Sequence, residues 1–457
     1  MGMKMMRYVC CLLFVIMLPA GCKKTDPAII TYEVTGKVTD LQGAGIKDVS
    51  ISIGDNYFVI TDEMGNWYLE DFTEEVMITP ADSGYLFTPA TITVSAPGNQ
   101  FDFIARQKSM PTLLPESILA WMIKMQLPNG LFETSESSNL VSLYDNSLVA
   151  LAFMAAGENA GAEKIFDFFD QRIDNELLAG NGGFSQFRDA EGNPTGHNWL
   201  GDNAWLLIAL NNYGVMVDGA RYQRLSSELA GWIISLQDTD GGVWGGYNVN
   251  GLQIGKITEG MIDAFNAVPG YTEFHKDLLQ YFETYRWDTT DKLLISWPGN
   301  YYKYALDNHS WGYCGIEDFP FTVLEKTDRY VNTQLATVNG LSVTGFAPDI
   351  DKDVVWLEGT GQMVIAYQKS GMKELADFYL KEMMKPVILS QLFPDTKSLP
   401  YSANQGTGYG SDPFWMGVDV NPSTSPSAWF LMASLQFDPM AAGYSKGIPP
   451  EDKFWLP

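Results

Sequence analysis

Histidine is scarce in this 457-residue chain. Three copies, His197, His275 and His309, and four Cys leave too few donors for a His-rich metal site, and none of them sits at zinc-ligand spacing. Positive charge is also short, at 29 Lys+Arg against 55 Asp+Glu. The resulting net charge of −26 repels a phosphate backbone and anionic headgroups alike, which excludes nucleic acid as the default partner. No Gly-x-Ser-x-Gly elbow, Walker A loop or dinucleotide-binding glycine pattern occurs, so those chemistries and their cofactors are not expected. The early apolar run from Tyr8 to Ala20 is about 13 residues, short of the ~18–20 that span a bilayer. What the chain does have is 46% apolar and 13% aromatic residues, enough to build the cores of two or three domains.

Lys4 and Arg7 precede the apolar run, and small residues follow it, which is the layout of an export signal. Leu18-Pro19-Ala20-Gly21-Cys22 resembles the lipobox of bacterial lipoproteins, with the aliphatic residue one place further from the Cys than usual. That resemblance implies a signal over 1–21, lipidation of Cys22 and a tether over 22–30. The protein would be exported to the periplasm, outer membrane or cell surface and would touch the membrane only through its lipid. An ordinary secretory signal with a chance Cys is the alternative. Cys10 and Cys11 leave with the signal, so Cys314 has no disulfide partner and reads as a small core residue. Loss of Lys4 and Arg7 takes the net charge from −26 to −28.

From residue 31 to 107 the pattern is short alternating strands broken by turn residues, which predicts six or seven strands in a small antiparallel β-sandwich. Gly36-Lys37-Val38-Thr39-Asp40, the run from Thr61-Asp62 through Gly65-Asn66-Trp67-Tyr68, and Pro80 with Gly84-Tyr85 resemble the carboxypeptidase regulatory-like (transthyretin-like) domain. The resemblance implies a non-catalytic spacer whose Asp and Gly shape a hairpin turn.

After the linker Arg106–Pro111 the period changes from 2 to 3.6 and stays there over 111–457. Tyr144-Asp145-Asn146 and Gly201-Asp202-Asn203 each open an apolar run, 57 residues apart, and Thr258-Glu259-Gly260 opens a third at the same interval. Asp307-Asn308-His309, Leu357-Glu358-Gly359 and Ser425-Pro426 begin three more. Apolar all round, these six read as buried helices. Amphipathic segments lie between them: Glu116–Gln126, Ala162–Ile173, Ala220–Gln237, Glu273–Arg286, Phe321–Gln334 and Lys373–Met384. Six buried helices alternating with six half-exposed ones predict an all-α (α/α)6 toroid.

A second repeat fixes the register. Trp121 to Gln126 with Gly130 and Phe132 parallels Trp232 to Gln237 with Gly241, Gly242 and Trp244, and Asn181-Gly182-Gly183-Phe184 is a third hint. Each predicts an outer helix ending in a Gly turn that sends an aromatic across the ring face. With Trp356-Leu357-Glu358-Gly359-Thr360-Gly361-Gln362 and Gly201-Asp202-Asn203-Ala204-Trp205, the region from 111 onward resembles the six-hairpin glycosidase superfamily. The toroid is implied strongly by that resemblance and any one activity weakly.

Short loops place the inner-helix starts at one end of the ring, where Asp145, Asp202, Glu259, Asp307 and Glu358 collect. Glycoside cleavage needs one carboxyl to protonate the leaving oxygen and another to activate water or attack the sugar. Tyr144, Trp205, Trp244, Trp311 and Trp356 are the candidate sugar-stacking aromatics. Acids also favour helix N-termini as caps, and a repeat duplicates caps as readily as ligands. Glu358 is the candidate acid, Asp202 the first candidate base and Glu259 the second. The helix dipole is expected to depress the Asp145 and Asp202 pKa values. The expected function is hydrolysis of an oligo- or polysaccharide. The alternatives are a non-catalytic glycan-binding lipoprotein and a polysaccharide lyase built on the Asn300–Tyr304 tyrosines with His309. Asp349-Ile350-Asp351-Lys352-Asp353 resembles the start of a calcium loop but lacks its later Gly and Glu, and reads instead as a charged substrate lid.

Overall fold

The protein is described from a computed structural model covering residues 32–457 except 41–42, 55–56, 73–74, 83–84, 90, 96–100, 108–113, 297–298, 300–301, 411 and 457. The export signal, Cys22 and most of the linker lie outside the described residues. The chain divides into two compact units between Pro111 and Thr112.

Among the described residues the first unit has eight strands, where six or seven were expected: β1 (Tyr32–Thr39), β2 (Ser50–Ile53), β3 (Tyr57–Ile60), β4 (Asn66–Phe72), β5 (Val76–Ala81), β6 (Tyr85–Thr88), β7 (Ile92–Val94) and β8 (Phe103–Gln107). They form two sheets, ordered β4-β1-β8-β6 and β3-β2-β5-β7. Alternation puts Val34, Val38, Trp67 and Phe103 of one sheet and Ile51, Ile78 and Val94 of the other into a shared core. Every pairing is antiparallel except β1 with β8, so the all-antiparallel expectation fails at that pair. Asp62 shapes the β3–β4 turn by accepting from the Met64 and Asn66 backbone N–H groups, each at 2.8 Å. Gly65, at φ +77°, lies where a Cβ would meet the Val38 carbonyl oxygen at 2.2 Å.

In the second unit six inner helices carry the apolar runs: α2 (Leu143–Ala155), α4 (Leu200–Met216), α6 (Thr258–Ala267), α8 (Leu306–Gly315), α10 (Leu357–Ser370) and α12 (Thr424–Ser434). Each packs against the next, and α12 returns to α2, so the ring closes. Outside it lie α1 (Leu114–Met125), α3 (Asn159–Asp170), α5 (Gln223–Ser235), α7 (Glu273–Tyr285), α9 (Thr322–Glu325) and α11 (Lys373–Met383). The expected helix over Phe321–Gln334 is a correction: α9 is one turn, followed by a 3-10 turn (Thr327–Tyr330) and the strand Val331–Leu335. That strand alternates β-branched and polar residues and pairs antiparallel with Ser342–Phe346 in a hairpin packed on α10 and α11.

The repeats have a structural purpose. Asn146 accepts from the Phe132 N–H and donates to the Phe132 and Ser142 carbonyls; Asn203 makes the same three bonds with Phe184 and Trp199. Each Asn thus clamps the preceding Gly turn onto its inner helix. Gln126 and Gln237 likewise bridge their own turns, at Gly130 and Gly241, to the next outer helix, at Gly161 and Phe274. Phe132 and Phe184 end in the core, not across the ring face. Cys314 is buried in the same core.

Candidate active site

The first turns of all six inner helices line one cavity of about 620 Å³. Tyr144 and Asp145 come from α2, Asp202 from α4, Glu259 from α6, Asp307 from α8, Glu358 from α10 and Ser425 from α12. A sixth acid, Asp263, lies one turn beyond Glu259. None of the five predicted acids is a helix cap. The capping positions are Ser142, Trp199, Ile257, Ala305 and Trp356, and each acid follows two or three places later, within the first turn. Of these caps only Ser142 makes a capping bond through its side chain, accepting from the Asp145 N–H at 3.2 Å.

Five of the six acids are buried and Glu259 is half-buried, and among the described residues no Lys, Arg or His shares the cavity lining. Burial therefore raises every one of them. Asp202 and Glu358 are pushed up to about 7 and Asp307 to about 6, while Asp145, Glu259 and Asp263 stand well above the carboxylate range. For Asp145, Glu259 and Asp263 the neighbouring acids add to the effect of burial. This corrects the expectation of depressed values at Asp145 and Asp202. Backbone N–H groups at Asp202 and Tyr144 do pull Asp202 down, but desolvation exceeds them.

The Tyr144 hydroxyl donates to Glu358 Oε1 at 2.6 Å, and Trp429 Nε1 donates to the Tyr144 oxygen at 3.1 Å. The Tyr409 hydroxyl donates to Asp307 Oδ2. Trp205 is the hub of the floor, edge-on to Tyr144, Trp311 and Trp429 with centroids 5.4–5.6 Å apart. Trp356 completes the predicted aromatics at the cavity. Trp244 does not join them; it packs beneath the Lys256 ammonium, 4.7 Å from its ring, and Lys256 is paired with Asp238 and Asp240.

Sequence reasoning missed Asp263, Trp199, Tyr401, Tyr409 and Trp415. Asp263 had a signal, an acid inside the otherwise buried run Met261-Ile262-Asp263-Ala264-Phe265. Trp199 caps α4 just ahead of the Gly201-Asp202-Asn203 repeat, and Tyr401, Tyr409 and Trp415 come from loops outside the repeat. The Asp349–Asp353 segment anchors one of these loops: Asp349 accepts from Gly410 N–H at 2.7 Å, and Thr407 is held by Asp351 and Asp353 at 2.9–3.0 Å. It is a tether for the Tyr409 loop, and Asp349 is buried, which departs from the solvated lid expected. His309 is away from the cavity, bonded to the Val323 carbonyl and Tyr330 hydroxyl and held down to about 4 by burial. Tyr304 is engaged with Asp288 and Asp291, while Asn300 and Tyr301 lie outside the described residues. Among the described residues no group of three or more His, Cys, Asp or Glu is placed to hold a metal ion.

No protein-family model matches the chain, and no curated protein matches its sequence. Solved structures do. A wild-type glycosidase matches with a TM-score of 0.51 and 12% identity, over 73% of this chain and 97% of that one. A sugar epimerase from a ruminal bacterium matches at 0.50 and 13%, over 71% and 98%. A bacterial glucoamylase complexed with acarbose matches at 0.50 and 15%, over 73% of this chain but 57% of that one. At these identities the likeness is one of fold: about three quarters of the chain shares the helical toroid of these structures.

Proposed function

We propose that the toroid hydrolyses a glycosidic bond in an oligo- or polysaccharide by carboxylate acid/base chemistry. The observation that carries this reading is the convergence of six acids, five of them buried, on one aromatic-walled cavity, with Glu358 and Asp202 each poised near 7. A general acid must hold its proton at working pH, and a general base must be able to lose one, so values near 7 suit either role. Glu358 takes the acid role because it is buried, raised to about 7 and held in place by the Tyr144 donor on Oε1, with Ser425 and Tyr401 also beside its carboxyl. Asp202 takes the base or nucleophile role, with Glu259 and Asp145 as the next candidates. The floor of Trp205, Trp311 and Trp356 supplies apolar surface for a sugar ring.

Release of reducing ends from a panel of neutral, amino and acidic glycans tests the reading, with Glu358→Gln and Asp202→Asn compared to the unmodified protein. A purely glycan-binding role is opposed by acids that do not cap their helices. A lyase would need a cation to hold a uronate carboxylate, and the cavity lining has none.

The same proposal extends to the rest of the chain. The β-unit acts as a transthyretin-like spacer, a reading supported by the Asp62 and Gly65 turn. The N-terminus carries the protein out of the cytoplasm and anchors it through lipid on Cys22.

A further inference from the structure

More acids line the cavity than two-carboxyl hydrolysis uses. Glu259 and Asp263 stand on α6 and Asp307 on the adjoining α8, so these three share one wall of the cavity, with Asp202 of α4 close enough to act on the first two. On this wall Asp263 is fully buried with the Trp205 indole as a donor neighbour and Asp307 has Glu259 beside it, yet no well-formed hydrogen bond reaches either Asp263 oxygen or Asp307 Oδ1. A Cβ at Gly201 would sit 3.3 Å from Asp263 Oδ2, so the glycine lets the start of α4 pack close against this carboxyl.

Buried acceptors without donors are costly, so such a site calls for a ligand rich in donors. The lining offers few of its own: indole N–H groups, Tyr and Ser hydroxyls and Gln186. A neutral sugar hydroxyl would give each acid one hydrogen bond but nothing that favours its ionised form. An ammonium gives three donors and the missing positive charge together. The trio does not form a metal-holding group.

We infer that Glu259, Asp263 and Asp307 form a subsite for a protonated primary amine, so that the preferred substrate carries a free amino group on the sugar bound there. The inference rests on the carbohydrate reading of the same cavity and narrows it to amino sugars that are not acetylated. In the free protein these acids hold protons. An arriving ammonium favours their charged forms, and protons pass to the solvent as it binds.

The test is titration calorimetry at pH 6 on the Glu358→Gln chain, so that binding is read without turnover. The probes are a glucosamine tetrasaccharide, its fully N-acetylated counterpart and cellotetraose. The glucosamine oligomer is expected to bind about tenfold or more tightly than either, a difference of roughly 1.4 kcal/mol. Its heat should differ between buffers of unlike ionisation enthalpy by the amount expected for proton release. Asp263→Asn should reduce the preference to about threefold or less, and Asp307→Asn gives an independent second reading if Asp263→Asn does not fold. Equal or tighter binding of the acetylated or neutral oligomer, or a preference that survives both substitutions, overturns the subsite. Amine preference in a protein that cleaves none of the glycans supports the subsite and removes the hydrolase reading. Failure of every oligomer to bind overturns both.

Discussion

The Tyr144 hydroxyl reaches across the ring from α2 to α10 and donates to Glu358 at 2.6 Å, between residues 214 apart in sequence. The bond favours the charged carboxylate, while burial favours the neutral acid, and their balance leaves Glu358 at about 7. Removing the donor in Tyr144→Phe therefore moves Glu358 further up. We expect the alkaline limb of the pH–rate profile to shift upward by roughly one unit, because a hydrogen bond to a charged group is worth about 1.5–3 kcal/mol. The measurement is kcat against pH for the two proteins; an unmoved limb would remove Glu358 from the rate-determining ionisation.

The buried acids also set how stability depends on pH. Their folded-state values lie above those of the unfolded chain, so the folded state binds more protons between the two. Stability is then fully present below about pH 4 and is lost as pH rises through 6–7. The loss is on the order of 4 kcal/mol for Asp202 and 3 kcal/mol for Glu358. Thermal melts should show a Tm that falls from pH 5 to pH 8. Asp263→Asn, which removes one such acid, should raise Tm by roughly 2–6 °C at pH 8 and by less at pH 5.

Asn203 is wholly buried and makes three hydrogen bonds that hold the Phe184 turn to α4. Asn203→Ala leaves those backbone groups unpartnered and should cost about 2–4 kcal/mol, read as a drop in the denaturant midpoint. Asn146→Ala should cost a similar amount, since its bonds are the same.

If Cys22 carries lipid, Cys22→Ser should move the protein from the detergent-rich to the aqueous phase on partitioning, with the toroid's melting unchanged. Equal partitioning of both forms would favour the plain secretory signal.

The toroid was legible because its repeat is written in residues that the geometry cannot exchange. Asp145-Asn146 and Asp202-Asn203 recur because the acid faces the cavity while the neighbouring amide clamps a turn, and Gln126 and Gln237 recur because both bridge to the next outer helix. The sequence signal is the same for an acid that caps and an acid that lines a cavity, so only the position of each acid two or three places past its capping residue, on the cavity wall, distinguished the two. Trp244 was misplaced because the Gly turn before it fits the repeat while Lys256, 12 residues on, covers the ring. Tyr401, Tyr409 and Trp415 carry no periodic signal; their loops are positioned by distant tethers such as Asp349 to Gly410. The Phe321–Gln334 segment reads as helix by composition, and pairing with Ser342–Phe346 overrides it.

The most direct test of the central claim is the release of reducing ends by Glu358→Gln and Asp202→Asn on a glycan the unmodified protein cleaves. The expected result is a fall in kcat of about 10²-fold or more in each, with folding intact by thermal melt. Activity retained in both variants would contradict the assignment of this cavity as the site of glycoside hydrolysis.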